Sequence, residues 1–278
     1  MSFVVWCKIM LNRIKNLTRV WQPLSQRVVS IINAVWQLFP ASHYVLLSTL
    51  FVVGLELIYT LQRWVIAIAT IVVAVVAMGV ILLSFEEKRA FRFIHCILPI
   101  LATTGLVGFG FLLPTTPVLH LYIMMAGFIL FFLLRHGARE AYPLWNWTLS
   151  LVIFFLNVAF ILGLRFHLYT PILLVLVLIL GISALMSLQA LRRVASSVAE
   201  LVLPTLTMAF VLAEVTWVLQ FLPAHYLVQA GVLTILYYVI FNLISLSYTR
   251  KLLRRDIIEY IGIGVVAFLL LLVSARWT

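Results

Sequence analysis

The chain has 278 residues, of which 65% are apolar and only 10% charged, with a mean hydropathy of +1.20. So little charge on so long a chain excludes a soluble globular domain and places the chain in a membrane. The formal net charge of +11 is also what a nucleic-acid binder carries. Here, however, the basic residues stand in short loops beside apolar runs, where topology and anionic lipid account for them, and no nucleic-acid partner is expected.

Residues 1–38 form the first segment, ahead of a transmembrane bundle over 39–278. Met10, Ile14, Leu17, Trp21, Leu24, Val28, Ile31 and Val35 recur at spacings of four and three, an apolar stripe on a helix whose other faces hold Lys8, Arg13, Lys15, Arg19 and Arg27. Such a helix lies in the membrane interface and offers a docking segment for a membrane or cytoplasmic partner protein. Pro23 divides it, because a proline inside a helix removes a hydrogen bond and clashes with the preceding turn. A signal peptide is not expected, since the apolar start Phe3-Val4-Val5-Trp6 precedes the charges. Cys7 and Cys96 stand apart, with no CxxC spacing, and no disulfide is expected.

A hydrocarbon core of about 30 Å calls for about 20 mostly apolar residues per helix. Stretches at 42–61, 65–85, 93–113, 118–134, 145–163, 171–190, 201–221, 226–247 and 258–275 qualify. They are continuously apolar where barrel strands would alternate, and a helix satisfies its own backbone in lipid. The expected fold is therefore all-α, a polytopic bundle of about nine spans built as four antiparallel hairpins plus a final helix. Sixteen of the nineteen Lys and Arg residues fall on one side of this reading; Arg63, Arg165 and Arg276 stand on the other. The enrichment of cytoplasmic loops in Lys and Arg then puts the N-terminus inside and the C-terminus outside.

The outward-going spans share a local pattern. Glu56-Leu-Ile-Tyr59-Thr-Leu61-Gln62 resembles Glu214-Val-Thr-Trp217-Val-Leu219-Gln220, and Asn157-Val-Ala-Phe160-Ile-Leu162-Gly163 follows it more loosely. At about 1.5 Å per residue both carboxyls lie roughly 9–10 Å below the outer ends of their helices, with Asn157 in the same layer. A charged side chain within a span costs about 2.5–3.5 kcal/mol on insertion scales, so each carboxylate must face the interior and find a partner, or be protonated. Functionally the layer reads as an intramembrane ion or proton site at Glu56, Glu214 and Asn157; structurally it reads as hydrogen bonding that locks helices together. In the third span, Pro99 and Gly105-Leu-Val-Gly108-Phe-Gly110 mark a kink or a place of close packing.

His120, His167 and His225 stand near successive outer turns, beside Arg63 and Arg165, and form a candidate outer-face cluster; if the imidazoles converged they would resemble a three-histidine zinc site. No HExxH spacing accompanies them, and the sequence predicts no bound metal. Nor is there a GxxxxGK[ST] loop, a GxGxxG or a GxSxG, so no catalytic residue and no cofactor is predicted.

The segment Ala213-Glu-Val-Thr-Trp217-Val-Leu-Gln-Phe221-Leu-Pro223-Ala-His-Tyr226, with the basic turn Arg250-Lys-Leu-Leu-Arg-Arg255, resembles a stretch of uncharacterised multi-span membrane proteins of candidate-phylum bacteria. The resemblance spans about the last quarter of the chain and implies a multi-pass protein of a bacterial inner membrane, without an activity. The leading functional expectation is a non-enzymatic membrane scaffold or subunit of an envelope complex. A secondary transporter using Glu56 and Glu214 is the first alternative. An enzyme acting on lipid headgroups through Arg135, His136, Arg139 and Glu140 is the second.

Overall fold

The computed structural model describes residues 42–60, 92–113, 117–137, 143–192, 198–249 and 253–274, together with Ala69, Val72, Val73, Val75 and Val76. Among these, every regular element is an α-helix: α1 (Ser42–Thr60), α2 (Arg92–Gly110), α3 (Pro117–Gly137), α4 (Pro143–Leu168), α5 (Ile172–Leu191), α6 (Val198–Leu219), α7 (Tyr226–Thr249) and α8 (Arg254–Ser274). The basic amphipathic segment 1–38, Arg63 and most of the expected span 65–85 lie outside the described residues. Two compact units divide the chain, Met1–Leu46 and Leu47–Thr278, and the second holds most of α1 and all of α2 to α8.

Among the described residues, six helices, α3 to α8, contain stretches long and apolar enough to cross a membrane, and α1 and α2 hold shorter apolar stretches, Tyr44–Thr60 and Ile97–Gly110. The protein is a multi-pass membrane protein with a helical bundle. The helix at the expected span 93–113 runs from Arg92 to Gly110, and Phe111 to Leu113 form the turn that follows. The opposite happens at 145–163, where the helix runs on through Phe166 and His167 to Leu168; an aromatic and an amphipathic ring at the boundary let it continue into the headgroup level.

α4 is the centre of the second unit, packed against α2, α3, α5 and α7. Its buried residues Ile153, Phe154, Asn157, Val158 and Ile161 recur at helical spacing along the faces it turns to them. Phe154 stacks on Tyr237 of α7 with ring centroids 4.3 Å apart, and Trp147, one heptad earlier, stacks on Phe241 at 4.2 Å. Two rings on each helix, seven residues apart on α4 and four apart on α7, thus hold α4 to α7. Helices joined by short turns do pack together, α2 with α3, α4 with α5, α6 with α7, but the most extensive pairing is α5 with α6. The repeat reading assigns those two helices to different hairpins. Antiparallel neighbours close equally well across a short turn or a basic loop, so sequence similarity alone could not say which of them packs more tightly.

Candidate functional site

Small side chains make α2 a polar spine. Its second half reads Thr103-Thr104-Gly105-Leu106-Val107-Gly108-Phe109-Gly110, which leaves its backbone open to close approach by other helices. Gly105 lies against Asn157 of α4, Gly108 against the ring of Phe160, and Gly110 against the hydroxyl of Tyr59 on α1. Through the gap at Gly105, the Asn157 amide donates to the Leu101 carbonyl at 2.7 Å and to the Ile153 carbonyl of its own helix at 2.8 Å. Its carbonyl oxygen accepts from the Thr104 hydroxyl at 3.1 Å. From α3, Tyr122 donates to the Leu106 carbonyl at 2.7 Å, and from α1, Tyr59 donates to the Val107 carbonyl at 3.3 Å. Three helices therefore each send a polar group to the second lone pair of an α2 carbonyl, which ties them together where no water is present to compete.

Between α1 and α3, His120 Nδ1 stands 3.1 Å from Glu56 Oε1, with the two side chains 69% and 40% exposed. The contact is an ion pair when the imidazole is protonated and a hydrogen bond when it is neutral. It joins α1 to α3 across 64 positions of sequence, and at this exposure it contributes less than about 1 kcal/mol.

The three members of the expected polar layer thus occupy different settings. Glu56 meets His120, and Asn157 is buried and bonded within the α2–α4 contact. Glu214 lies on the exposed face of α6, and no hydrogen bond or ion pair joins it to the other two among the described residues.

The histidines divide as well. His167 and His225 share one aromatic cluster at the end of the bundle that carries the short turns: Phe166 lies 5.2 Å from His167 and 5.7 Å from His225, and Tyr226 packs on His225 at 4.2 Å. His225 caps α7, its Nδ1 accepting from the Leu227 N–H at 3.4 Å, so that ring nitrogen is used in ending the turn. The buried Gln229 completes the closure by donating to the Ala224 carbonyl at 3.1 Å. His120 is engaged with Glu56 instead. Arg165 bends back to the Thr170 carbonyl at 3.5 Å, Arg63 lies outside the described residues, and no three His, Cys, Asp or Glu side chains gather as a metal site among the described residues. On the opposite end Arg135 lies over the ring of Phe131 at 5.8 Å, while Arg139 and Glu140 lie outside the described residues.

Sequence reasoning missed Thr104, Tyr122 and Gln229, and gave Tyr59 as part of the repeated pattern without its bond to α2. Their signal was a hydroxyl or amide on an otherwise apolar helix, which in lipid must find an acceptor nearby. It also missed Tyr169, which ends α4 at φ 51° with its N–H on the Arg165 carbonyl at 3.0 Å. That left-handed position ordinarily belongs to glycine, and a bulky residue there is strained by about 1–2 kcal/mol. The ring is 90% exposed at the end of the bundle, where tyrosine suits a headgroup layer. Tyr169→Gly is expected to raise resistance to unfolding in detergent by about 1 kcal/mol; an unchanged or lowered value would show that the ring's contacts outweigh the backbone strain.

No curated protein and no solved structure matches the chain. A family match extends over residues 44–274, taking in every helix from α2 to α8 and well beyond the last quarter of the sequence, and by it the chain belongs to a family of proteins of unknown function, DUF5656.

Proposed function

We propose that the protein is a non-enzymatic scaffold or subunit of an envelope complex in a bacterial inner membrane, with its N-terminus cytoplasmic and its C-terminus outside. The observation that carries this reading is α8. A helix of spanning length, it has its extensive contact among the described helices with α7, through Gly264 against Val239, Leu271 against Gly231 and Tyr260 against Tyr238. Only 6% of its span is buried. A helix held along one edge presents most of its surface sideways in the bilayer, where a second membrane protein docks without disturbing the bundle. The polar groups around α2 support the same reading, since Asn157, Tyr59 and Tyr122 are used in holding helices together. The basic loops hold anionic lipid headgroups, and residues 1–38 supply a second contact with a membrane or cytoplasmic partner.

The test is extraction of the full-length protein in native membrane patches, followed by mass spectrometry of what stays bound. A partner protein in stoichiometric amount that is lost on deletion of residues 1–38 is the expected result. A retained small solute with no protein partner would overturn it and favour a secondary transporter, for which Glu56 and His120 form a pair able to exchange a proton at the membrane boundary.

A further inference from the structure

α6 has two faces of opposite character. One buries Leu201, Thr205, Met208, Leu212, Thr216 and Leu219 at spacings of four and three. The other exposes Leu203, Thr207, Phe210, Glu214 and Trp217 at the same spacing, a stripe continued by Phe221 in the turn after the helix. Thr207, also on this face, satisfies itself by donating to the Leu203 carbonyl at 2.9 Å. Ionised Glu214 has no such recourse, because a carboxylate needs donors and the N–H groups within an unbroken helix are already bonded to carbonyls one turn back. It stands five residues from the end of α6 at Leu219, about 7.5 Å inside the helix end, and makes no hydrogen bond or ion pair among the described residues. Glu56, by contrast, has His120, and buried Asn157 has Leu101, Ile153 and Thr104.

We infer that the exposed stripe of α6 is an interface for a transmembrane helix of a different protein, one that carries a lysine, arginine or protonated histidine about one and a half turns inside the membrane boundary, facing Glu214. This inference rests on the scaffold reading and names the chemistry of the partner. A bare carboxylate facing lipid is costly, and a basic side chain at the same depth turns that cost into an oriented contact. Among the described residues, a second copy of this chain offers no free basic side chain at that depth. No Lys falls in any described helix, every described Arg stands within a turn of a helix end, and His120, the one imidazole near that depth, already meets Glu56. The aromatic and aliphatic neighbours Phe210, Trp217 and Leu203 provide the surrounding packing surface.

The experiment places a photo-crosslinking benzoylphenylalanine at Phe210 of the full-length protein in its own membrane, with the same probe at the exposed Leu173 of α5 as background. The expected adduct from Phe210 maps by peptide mass spectrometry to a membrane helix of another protein, with a basic residue within one turn of the crosslinked site. Its yield falls about tenfold in Glu214→Leu and holds in Glu214→Asp, a tenfold change corresponding to about 1.4 kcal/mol. Thermal unfolding of Glu214→Leu in detergent confirms that the variant is folded. Adducts to lipid alone, adducts to a second copy, or a yield indifferent to Glu214→Leu would each overturn the inference. If a protein is retained in native patches but no Phe210 adduct reaches it, this surface is wrong and the scaffold reading stands; if none is retained, both fall.

Discussion

Gly105→Leu is expected to lower the stability of the bundle by about 2–6 kcal/mol, the sum of overpacking at about 1–3 kcal/mol and two interhelical hydrogen bonds at about 0.6–1.7 kcal/mol each. A Cβ at Gly105 meets the amide group of Asn157 and comes within 3.3 Å of its backbone nitrogen. The amide side chain alone could rotate away, but the backbone of α4 cannot, so α2 and α4 must move apart. That movement breaks the bond from Asn157 to the Leu101 carbonyl and the bond from Thr104. Gly181 of α5 is the control, because a Cβ there meets nothing within 4 Å. Gly181→Ala is expected to gain up to about 1 kcal/mol from helix propensity. Unfolding in mixed detergent micelles separates the two variants, and equal behaviour would show that α2 is not the spine of the bundle. Gly105→Ala should also cost less in an Asn157→Ala background than alone, since the smaller side chain vacates the space the methyl needs.

Phe154→Ala is expected to cost about 2–3 kcal/mol, somewhat below the about 3–5 kcal/mol of the same change in a soluble core. The difference has a physical origin. In water, removing a buried ring forfeits both its transfer from solvent and its packing; in lipid the separated helices already rest in an apolar medium, so chiefly the cavity and the lost ring contacts count. Phe154 is fully buried and stacks on Tyr237 at 4.3 Å, beside the Trp147–Phe241 stack at 4.2 Å. Phe154→Leu keeps most of the volume and is expected to cost less than about 1.5 kcal/mol. A neutral Phe154→Ala would show that the rings do not hold α4 to α7.

These two sites differ in how far they could be read beforehand. The glycines of α2 were visible as a spacing that permits close approach, and the structure brings helices α1 and α4 onto them. The partner at each glycine was not visible. Asn157 reaches Leu101 across 56 positions of sequence, and Glu56 reaches His120 across 64. Such pairs depend on the rotation of each helix about its axis, which an almost uniformly apolar surface encodes weakly. In a soluble protein the solvent would separate an inner face from an outer one. In lipid both faces are apolar, and only scattered polar and small residues record which one turns inward.

The sequence by itself determined that the chain is a multi-pass helical membrane protein and, to within a few residues, where most of its helices run. Low charge and long apolar stretches leave a helix as the structure that satisfies every backbone group in lipid. Only the tertiary structure decided what Glu56, Asn157 and Glu214 do. Residues in matching positions of similar stretches became a boundary pair with His120, a buried tie to α2, and a carboxylate on an open helix face. The reason is that depth along a helix is local, set by residue count, whereas the neighbour at that depth is set by how whole helices pack.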